Sequence, residues 1–171
     1  MVKTFMRWTF TAHPAVAGSP PAGATILPIQ DADLPEIAHI MVDGYRGTID
    51  FEDETDDDAL GELRGALTGS NGEPIREAWL LARTGAGEAA AAIATVRWRG
   101  MPFISYVFTA DACKRNGYAG ALIQHAAKAL QAAGETELVL FVTVGNPARS
   151  LYERIGFVEA PDPAGLENPV V

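Results

Sequence analysis

The sequence lacks most features of secreted, metal-bound or membrane-spanning proteins. Cys113 is the single cysteine among 171 residues, so neither an internal disulfide nor a cysteine metal cluster can form. Its three histidines show none of the paired spacings that ligate zinc, and we expect no metal. No apolar run reaches the ~18 residues of a membrane span, and no signal-peptide pattern opens the chain. We therefore expect a cytoplasmic protein without a membrane partner.

Basic residues are also scarce. The chain has 13 Lys and Arg against 22 Asp and Glu, a net charge of −9, which argues against nucleic acid as the main partner. Much of this charge lies in one nine-residue stretch that holds seven acids: Asp50, Glu52, Asp53, Glu54, Asp56, Asp57 and Asp58. Such a cluster either attracts a cationic ligand or is simply a solvated loop and helix start, and both interpretations stay open.

The hydrophobic fraction of 48% is enough for one sizeable core and thus for one domain of ordinary size. We predict an N-terminal extension over residues 1–23 and a folded domain over 24–171. Residues 3–11 alternate loosely, as an edge strand would, before two proline-containing turns. The extension is expected to pack on the domain or on a second subunit, and the second case would make the protein a homodimer.

From residue 24 the periodicity predicts the order β-α-α-β-β-β-α-β-α-β. Asp33 and Glu36 are spaced as a capping box for the first helix. This order predicts an α/β (α+β) fold with a mixed, mainly antiparallel central sheet and helices on both faces. Predicted strands cover 25–29, 78–83, 89–98, 103–109, 138–144 and a short run from 157; predicted helices cover about 33–45, a stretch from 56, 117–133 and 147–156.

The junction between the strand at 103–109 and the next helix has the chemistry of an anion site. Lys114 and Arg115 precede small residues that open the helix, where unpaired backbone N–H groups favour a phosphate. Gly117, Ala119 and Gly120 would let a diphosphate approach the backbone closely. Neither the P-loop pattern nor a full dinucleotide-binding fingerprint is present. A loop that happens to contain glycines is the alternative interpretation.

Two motifs together resemble a known family. The run Lys-Arg-Asn-Gly-Tyr-Ala at 114–119 resembles the [R/Q]xxGx[G/A] signature of the GNAT superfamily of acyl-CoA-dependent N-acyltransferases. The run Asn-Pro-Ala-Arg-Ser-Leu-Tyr-Glu-Arg-Ile-Gly-Phe at 146–157 resembles that family's second signature, a helix ending in LYxxxGF. The resemblance covers roughly residues 24–160. It departs from the family at Lys114, which keeps the charge but lacks a guanidinium group.

The resemblance implies a role for each matching residue. The strand end would offer backbone groups to the pantetheine arm, and the loop and helix start would hold the pyrophosphate of acetyl-CoA. Asn146 would meet a pantetheine amide. Tyr152 would lie near the thioester sulfur as the catalytic acid, unless it is only a packing residue of its helix. The implied cofactor-binding residues are Val107, Phe108, Thr109, Lys114, Arg115, Asn116, Gly117, Tyr118, Ala119, Gly120 and Asn146.

The function predicted from this resemblance is an N-acetyltransferase that moves an acetyl group from acetyl-CoA directly to a primary amine. The acceptor is a small-molecule or peptide amine, with a cationic amine suggested by the acidic stretch. No general base is evident, because the strand at 103–109 contains no acid. A non-catalytic acyl-CoA-binding or sensing module is the first alternative. A partner-binding protein that uses the acidic stretch and the N-terminal extension is the second.

Overall fold

The structure is a computed structural model that describes residues 1–163. Its strands form one mixed sheet in the order β2-β4-β5-β6-β7-β1-β8, and the short β3 pairs with β5. Only β6 and β7 run parallel; the other pairs are antiparallel. The strands are β1 (Lys3–Thr9), β2 (Thr25–Pro28), β3 (Glu73–Pro74), β4 (Leu80–Arg83), β5 (Ala89–Trp98), β6 (Met101–Thr109), β7 (Glu137–Thr143) and β8 (Val158–Glu159).

Helices cover both faces of this sheet. Ile37 and Leu63 bury the apolar sides of the first two helices in one core, and Leu122 and Leu130 bury the third in a second core on the opposite face. The predicted fold class is therefore confirmed. The helices are α1 (Leu34–Tyr45), α2 (Asp56–Leu67), α3 (Tyr118–Ala132) and α4 (Ala148–Ile155). Among residues 1–163, no helix is long and apolar enough to cross a bilayer.

The strand predicted at the sheet edge lies inside the sheet, so that prediction was wrong. β1 pairs antiparallel with β7 on one side and with β8 on the other. Phe5 is buried in the core under α1 and α2, whereas Met6 and Trp8 are buried in the core under α3. The sheet thus contains residues from both sides of the boundary predicted after residue 23.

The rest of the N-terminal segment follows α3. The indole Nε1 of Trp8 donates to the His13 carbonyl at 2.6 Å. The N–H groups of Ala15 and Val16 then donate to side chains of α3, Gln131 Oε1 at 3.3 Å and Gln124 Oε1 at 3.0 Å. These contacts attach the segment to its own domain.

The first helix begins differently from the prediction. Asp33 closes a capping box with Gln30 around a 3-10 turn at Asp31–Asp33, one turn before α1. Glu36 instead accepts hydrogen bonds from the Arg83 guanidinium and the Ala89 N–H. A second capping box, which the sequence analysis did not identify, joins Thr55 and Asp58 at the start of α2.

The parallel strands β6 and β7 pair at a single register position, Phe103 with Val139. Past that point the two strands continue without pairing, so their C-terminal halves leave a cleft in the middle of the sheet. The first turn of α3 and the start of α4 follow directly from the ends of β6 and β7. The cleft therefore joins the helical layers at the point where the two motifs lie.

An irregularity in β6 sets which side chains face each layer. Tyr106 pairs with Ala94, but Ile104 pairs with Thr95, which leaves Ser105 as an extra residue. Such a bulge resets the alternation of a strand. As a result Phe103 and Tyr106 face the same core, under α1 and α2, although they are three positions apart. The bulge is therefore what directs Tyr106 towards α2.

Candidate active site

The N-terminus of α3 is an open site for an anion. Gly117 caps the helix with φ of 88°, and no side chain caps it. The first intrahelical bond runs from the Ala121 N–H to the Gly117 carbonyl, so the N–H groups of Tyr118, Ala119 and Gly120 have no helical acceptor. The first turn contains no acid, and a Cβ added at Gly117 would meet no heavy atom within 4 Å. These features fit a phosphate group.

The two predicted cations have different surroundings. Lys114 Nζ donates to the Gly44 carbonyl at the end of α1, at 2.7 Å, and lies 3.4 Å from an Asp111 carboxylate oxygen. Its ammonium group is thus committed to α1 in this structure. Arg115 is exposed and has a positive φ of 62°, and the exposed Asn116 donates to the Cys113 carbonyl at 3.2 Å. Arg115 is therefore the predicted cation that remains accessible beside the helix start.

The helix start offers backbone more than side chains. The Tyr118 ring is buried in the core under α3. A Cβ at Gly120 would lie 3.5 Å from Leu151 Cδ1, so Gly120 faces α4. Its small size thus serves the approach of the two helices, and the N–H groups of this turn are what remains for a ligand.

The end of β6 borders the cleft. Val107, Phe108 and Thr109 pair with β5 through one edge, and their other edge faces the unpaired half of β7. A Cβ at Gly44 would lie 2.5 Å from the Thr109 carbonyl oxygen, so α1 approaches this strand end closely only because Gly44 has no side chain. The free edge is available to a peptide-like chain.

Asp50 bridges the segment after α1 to the far side of the cleft. Its carboxylate accepts hydrogen bonds from Thr143 Oγ1 at 2.6 Å and from Asn146 Nδ2 at 2.7 Å. Asn146 Oδ1 in turn accepts from the Ala148 N–H at 2.8 Å and so caps α4, as the sequence predicted. Both ends of the Asn146 amide are therefore engaged, and a contact with pantetheine would replace the bond to Asp50.

Tyr152 lies in the wall of this cleft. Its side chain is buried, with the ring packed edge-on against Phe157, and no hydrogen bond joins its hydroxyl to another of residues 1–163. Burial raises the pKa of Tyr152 to about 12, and the nearby Asp50 carboxylate adds to the shift. The phenol is therefore protonated at neutral pH, and its donor is free for a ligand.

Tyr45 connects this region to the layer of α1 and α2. Its ring packs near Phe108 with centroids 6.0 Å apart. Burial raises the pKa of Tyr45, and Tyr152, Asp50 and further groups of α2 and β6 contribute. Tyr45 is thus close to side chains from both sides of the sheet, which meet at the cleft.

A polar network lies on the α2 side. The Tyr106 hydroxyl accepts from Asn71 Nδ2 at 3.2 Å and is hydrogen-bonded to the Glu62 carboxylate. Partial burial raises the pKa of Glu62, and the Glu54 carboxylate adds to the shift. The sequence analysis missed this network, because Glu62 belongs to no motif and Tyr106 contacts α2 only through the bulge.

Comparisons with known proteins place the chain among acetyltransferase folds. The family model described as FR47-like protein matches residues 81–163. A GCN5-related N-acetyltransferase from Sphaerobacter thermophilus superposes with a TM-score of 0.73 at 21% identity, covering 92% of this chain and 48% of that one. A GNAT family acetyltransferase from Brucella melitensis, solved with acetyl-CoA, gives a TM-score of 0.58 at 20% identity, covering 81% of this chain and 90% of that one.

A putative GNAT family acetyltransferase from Novosphingobium aromaticivorans also superposes, with a TM-score of 0.60 at 20% identity over 94% of this chain and 61% of that one. The chain thus spans about half the length of the Sphaerobacter protein and under two thirds of the Novosphingobium protein. No curated protein sequence matches it. At these identities the solved structures establish the fold.

Proposed function

We propose that this chain, which belongs to the GNAT superfamily by its fold and its FR47-like segment, transfers an acetyl group from acetyl-CoA directly to a primary amine. The family resemblance predicted from the two motifs is thereby confirmed. The observation that carries the proposed activity is the cleft between β6 and β7, with an uncapped helix N-terminus at its mouth and the free hydroxyl of Tyr152 in its wall.

The residues at the cleft fit acetyl-CoA. The N–H groups of Tyr118, Ala119 and Gly120, with Arg115 beside them, would hold the pyrophosphate, since the first turn has no acid to oppose it. The free edge of β6 would pair with the pantetheine arm. Acetyl-CoA supplies an activated acyl thioester to the reaction. The complex of the Brucella melitensis relative with acetyl-CoA supports this donor.

Tyr152 acts on the departing sulfur in this proposal. With its pKa at about 12, the phenol is a weaker acid than a thiol, whose pKa is about 8.5. It therefore stabilises negative charge on sulfur chiefly by donating a hydrogen bond. Direct transfer is supported by Cys113, whose pKa is raised by burial and by Glu88, so that its thiol is a poor nucleophile.

The acceptor would enter from the side of α1 and α2. Asp50 and Glu62 flank that side, and the acidic stretch lies between the two helices. A concentration of negative charge favours an amine that carries a positive charge in solution. We therefore propose a small-molecule or peptide amine, cationic at neutral pH.

A non-catalytic acyl-CoA sensor is the second candidate. It is favoured by Lys114 and Asn146, because both side chains predicted to hold the donor are occupied by hydrogen bonds within the chain. A sensor would bind acetyl-CoA without turning it over.

Two measurements test these proposals. Acetyl-CoA should raise the melting temperature of the protein, whereas CoA lacking its pyrophosphate portion should not. A panel of primary amines should then release CoA thiol in the presence of the protein. Stabilisation without thiol release for any amine would favour the sensor, and no stabilisation would contradict both candidates.

A further inference from the structure

Within the proposed transferase, on which this inference rests, we infer that Glu62 is the carboxylate that takes the proton from the acceptor's ammonium group and that Tyr106 positions it. An amine must lose a proton before its nitrogen can attack a thioester. The β6 strand itself offers no acid for this purpose. The structure brings a carboxylate to the same strand from α2.

The first step of the argument is the geometry of β6. The extra residue Ser105 turns Tyr106 towards α2, where its hydroxyl is held between Asn71 and Glu62. Asn71 donates to the hydroxyl at 3.2 Å, which leaves the hydroxyl hydrogen free to be donated to the Glu62 carboxylate. The hydrogen bond to a hydroxyl on a buried strand restricts the carboxylate to one location.

The second step is the position of this pair relative to Tyr152. Tyr45 is close to Tyr106 and Glu62 on one side and to Tyr152 on the other, as the shared influence on its pKa shows. Tyr152 packs with the core under α3, and Tyr106 with the core under α1 and α2. The hydrogen-bond donor for sulfur and the proposed proton acceptor therefore flank the cleft from opposite layers.

The third step is the set of charged groups around Glu62. Glu52 and Glu54 face it from the segment before α2, Asp58 from α2 itself, Tyr106 from β6 and Tyr45 from α1. The acids and partial desolvation raise the pKa of Glu62, while the Tyr106 hydrogen bond lowers it. A carboxylate with a raised pKa is a better proton acceptor at neutral pH.

Asp50 is a weaker candidate for the same task. Each of its oxygens already accepts a hydrogen bond, from Thr143 at 2.6 Å and from Asn146 at 2.7 Å. Glu62 remains partly exposed, so it can pass the proton on to water after each turnover. Asp50 thus has the geometry of an anchor, and Glu62 that of an exchangeable proton acceptor.

The proton balance of the step is as follows. Glu62 removes one proton from the ammonium group, and the neutral nitrogen forms a bond to the thioester carbon as the C–S bond breaks. The electron pair of that bond stays on sulfur, where Tyr152 donates a hydrogen bond. Sulfur takes up the second nitrogen proton, and Glu62 releases the first to solvent. The products are the amide, the CoA thiol and one proton.

The test is the pH dependence of kcat/KM for an amine that the wild-type protein acetylates. In E62Q the rate should be limited by the fraction of neutral amine, so the loss should be roughly 10²–10⁴-fold at pH 7. It should shrink about tenfold for each pH unit up to the pKa of the amine, which is about 10 for a lysine-like acceptor. Stabilisation by acetyl-CoA should be unchanged.

Two further variants sharpen the test. E77Q removes one carboxylate from the turn at Arg76–Ala78, which packs against α3, and should leave the pH profile as in the wild type. Y106F keeps the ring but removes the hydroxyl, and should reproduce part of the E62Q loss with the same pH dependence. A pH-independent loss in E62Q, or an unchanged profile, overturns the role of Glu62 while the transferase proposal stands. A wild type that acetylates no amine overturns both.

Discussion

At the scale of single residues, the cleft shows how environment assigns different tasks to similar groups. Two tyrosines, Tyr45 and Tyr152, are buried beside one carboxylate and both have raised pKa values. The hydroxyl of Tyr152 has no partner among residues 1–163, whereas Tyr106 is held between two polar side chains. A free phenol suits a ligand that arrives, and a hydrogen-bonded phenol suits the positioning of a neighbour.

Substituting Tyr152 by Phe tests the role of its hydroxyl. Y152F keeps the ring that packs on Phe157 and should lower kcat roughly 10²–10⁴-fold, with little change in acetyl-CoA affinity. Because the pKa of about 12 keeps the phenol protonated, the wild type should not lose activity through this group below about pH 11. A pH–rate profile and a thermal-shift titration measure both effects. Unchanged turnover would make Tyr152 a packing residue, provided that sulfur departure limits the rate.

Sequence alone identified Tyr152 but not Glu62. Tyr152 belongs to a local motif, in which a few neighbouring residues suffice. Glu62 is a carboxylate on the polar side of an acidic helix, and nothing nearby distinguishes it from Asp57 or Asp58. Its significance comes from Tyr106, a partner on another element that reaches it through a bulge. Contacts of that kind depend on tertiary structure, which a pattern along the chain does not contain.

At the scale of elements, periodicity predicted the existence of strands and helices better than their surroundings. The alternation in Lys3–Thr9 correctly indicated a strand, but alternation does not say whether one or two neighbours pair with it. The capping box was displaced by one turn, because Asp33 is used by a 3-10 turn that precedes α1. Both differences arise from interactions that acids and apolar residues can satisfy in more than one way.

The start of α3 carries the prediction that belongs to this scale. In G117E the new side chain has open space, so the fold should persist, but it places an anion where the pyrophosphate would bind and should abolish acetyl-CoA binding. The φ of 88° adds a strain of roughly 1–2 kcal/mol. G117Q carries the same strain and nearly the same bulk without the charge. Calorimetric titration should show much weaker binding to G117E than to G117Q.

Equal binding by the two variants would remove the electrostatic part of the argument, and wild-type affinity in G117E would remove the site altogether. R115A offers a milder comparison at the same helix start. Arg115 is exposed, so losing its charge should weaken binding by only about 1 kcal/mol. An Arg115 effect larger than that of Gly117 would move the pyrophosphate away from the α3 N-terminus.

At the scale of the whole molecule, the donor and acceptor sides come from different parts of the chain. The family match over residues 81–163 includes the end of β6, the start of α3 and Tyr152. Tyr45, Asp50 and Glu62 precede it, on the layer that would receive the acceptor. The donor side could therefore be predicted from motifs, whereas the acceptor side varies with the chain and required the structure.

The distribution of charge over the molecule gives the last prediction, that the acidic stretch tunes acceptor binding and leaves donor binding unchanged. Asp58 caps α2 through Thr55, with bonds at 2.7 and 2.9 Å, so it should be kept to protect the helix. Changing Asp53, Glu54 and Asp57 to Asn or Gln should raise the KM of a cationic acceptor several-fold. It should also flatten the salt dependence of that KM, because salt screens charges over about 8 Å at physiological ionic strength.

A matched control separates this local field from the net charge. Neutralising Asp31, Glu73 and Glu77 removes the same number of charges from exposed positions outside the acidic stretch, and should leave the acceptor's KM near the wild-type value. In both variants the KM of acetyl-CoA should hardly move, because the α3 N-terminus and Arg115 are untouched. Steady-state kinetics across a range of salt concentrations measures all three constants. If both variants change the acceptor's KM alike, the acidic stretch is a solvated surface that contributes only net charge.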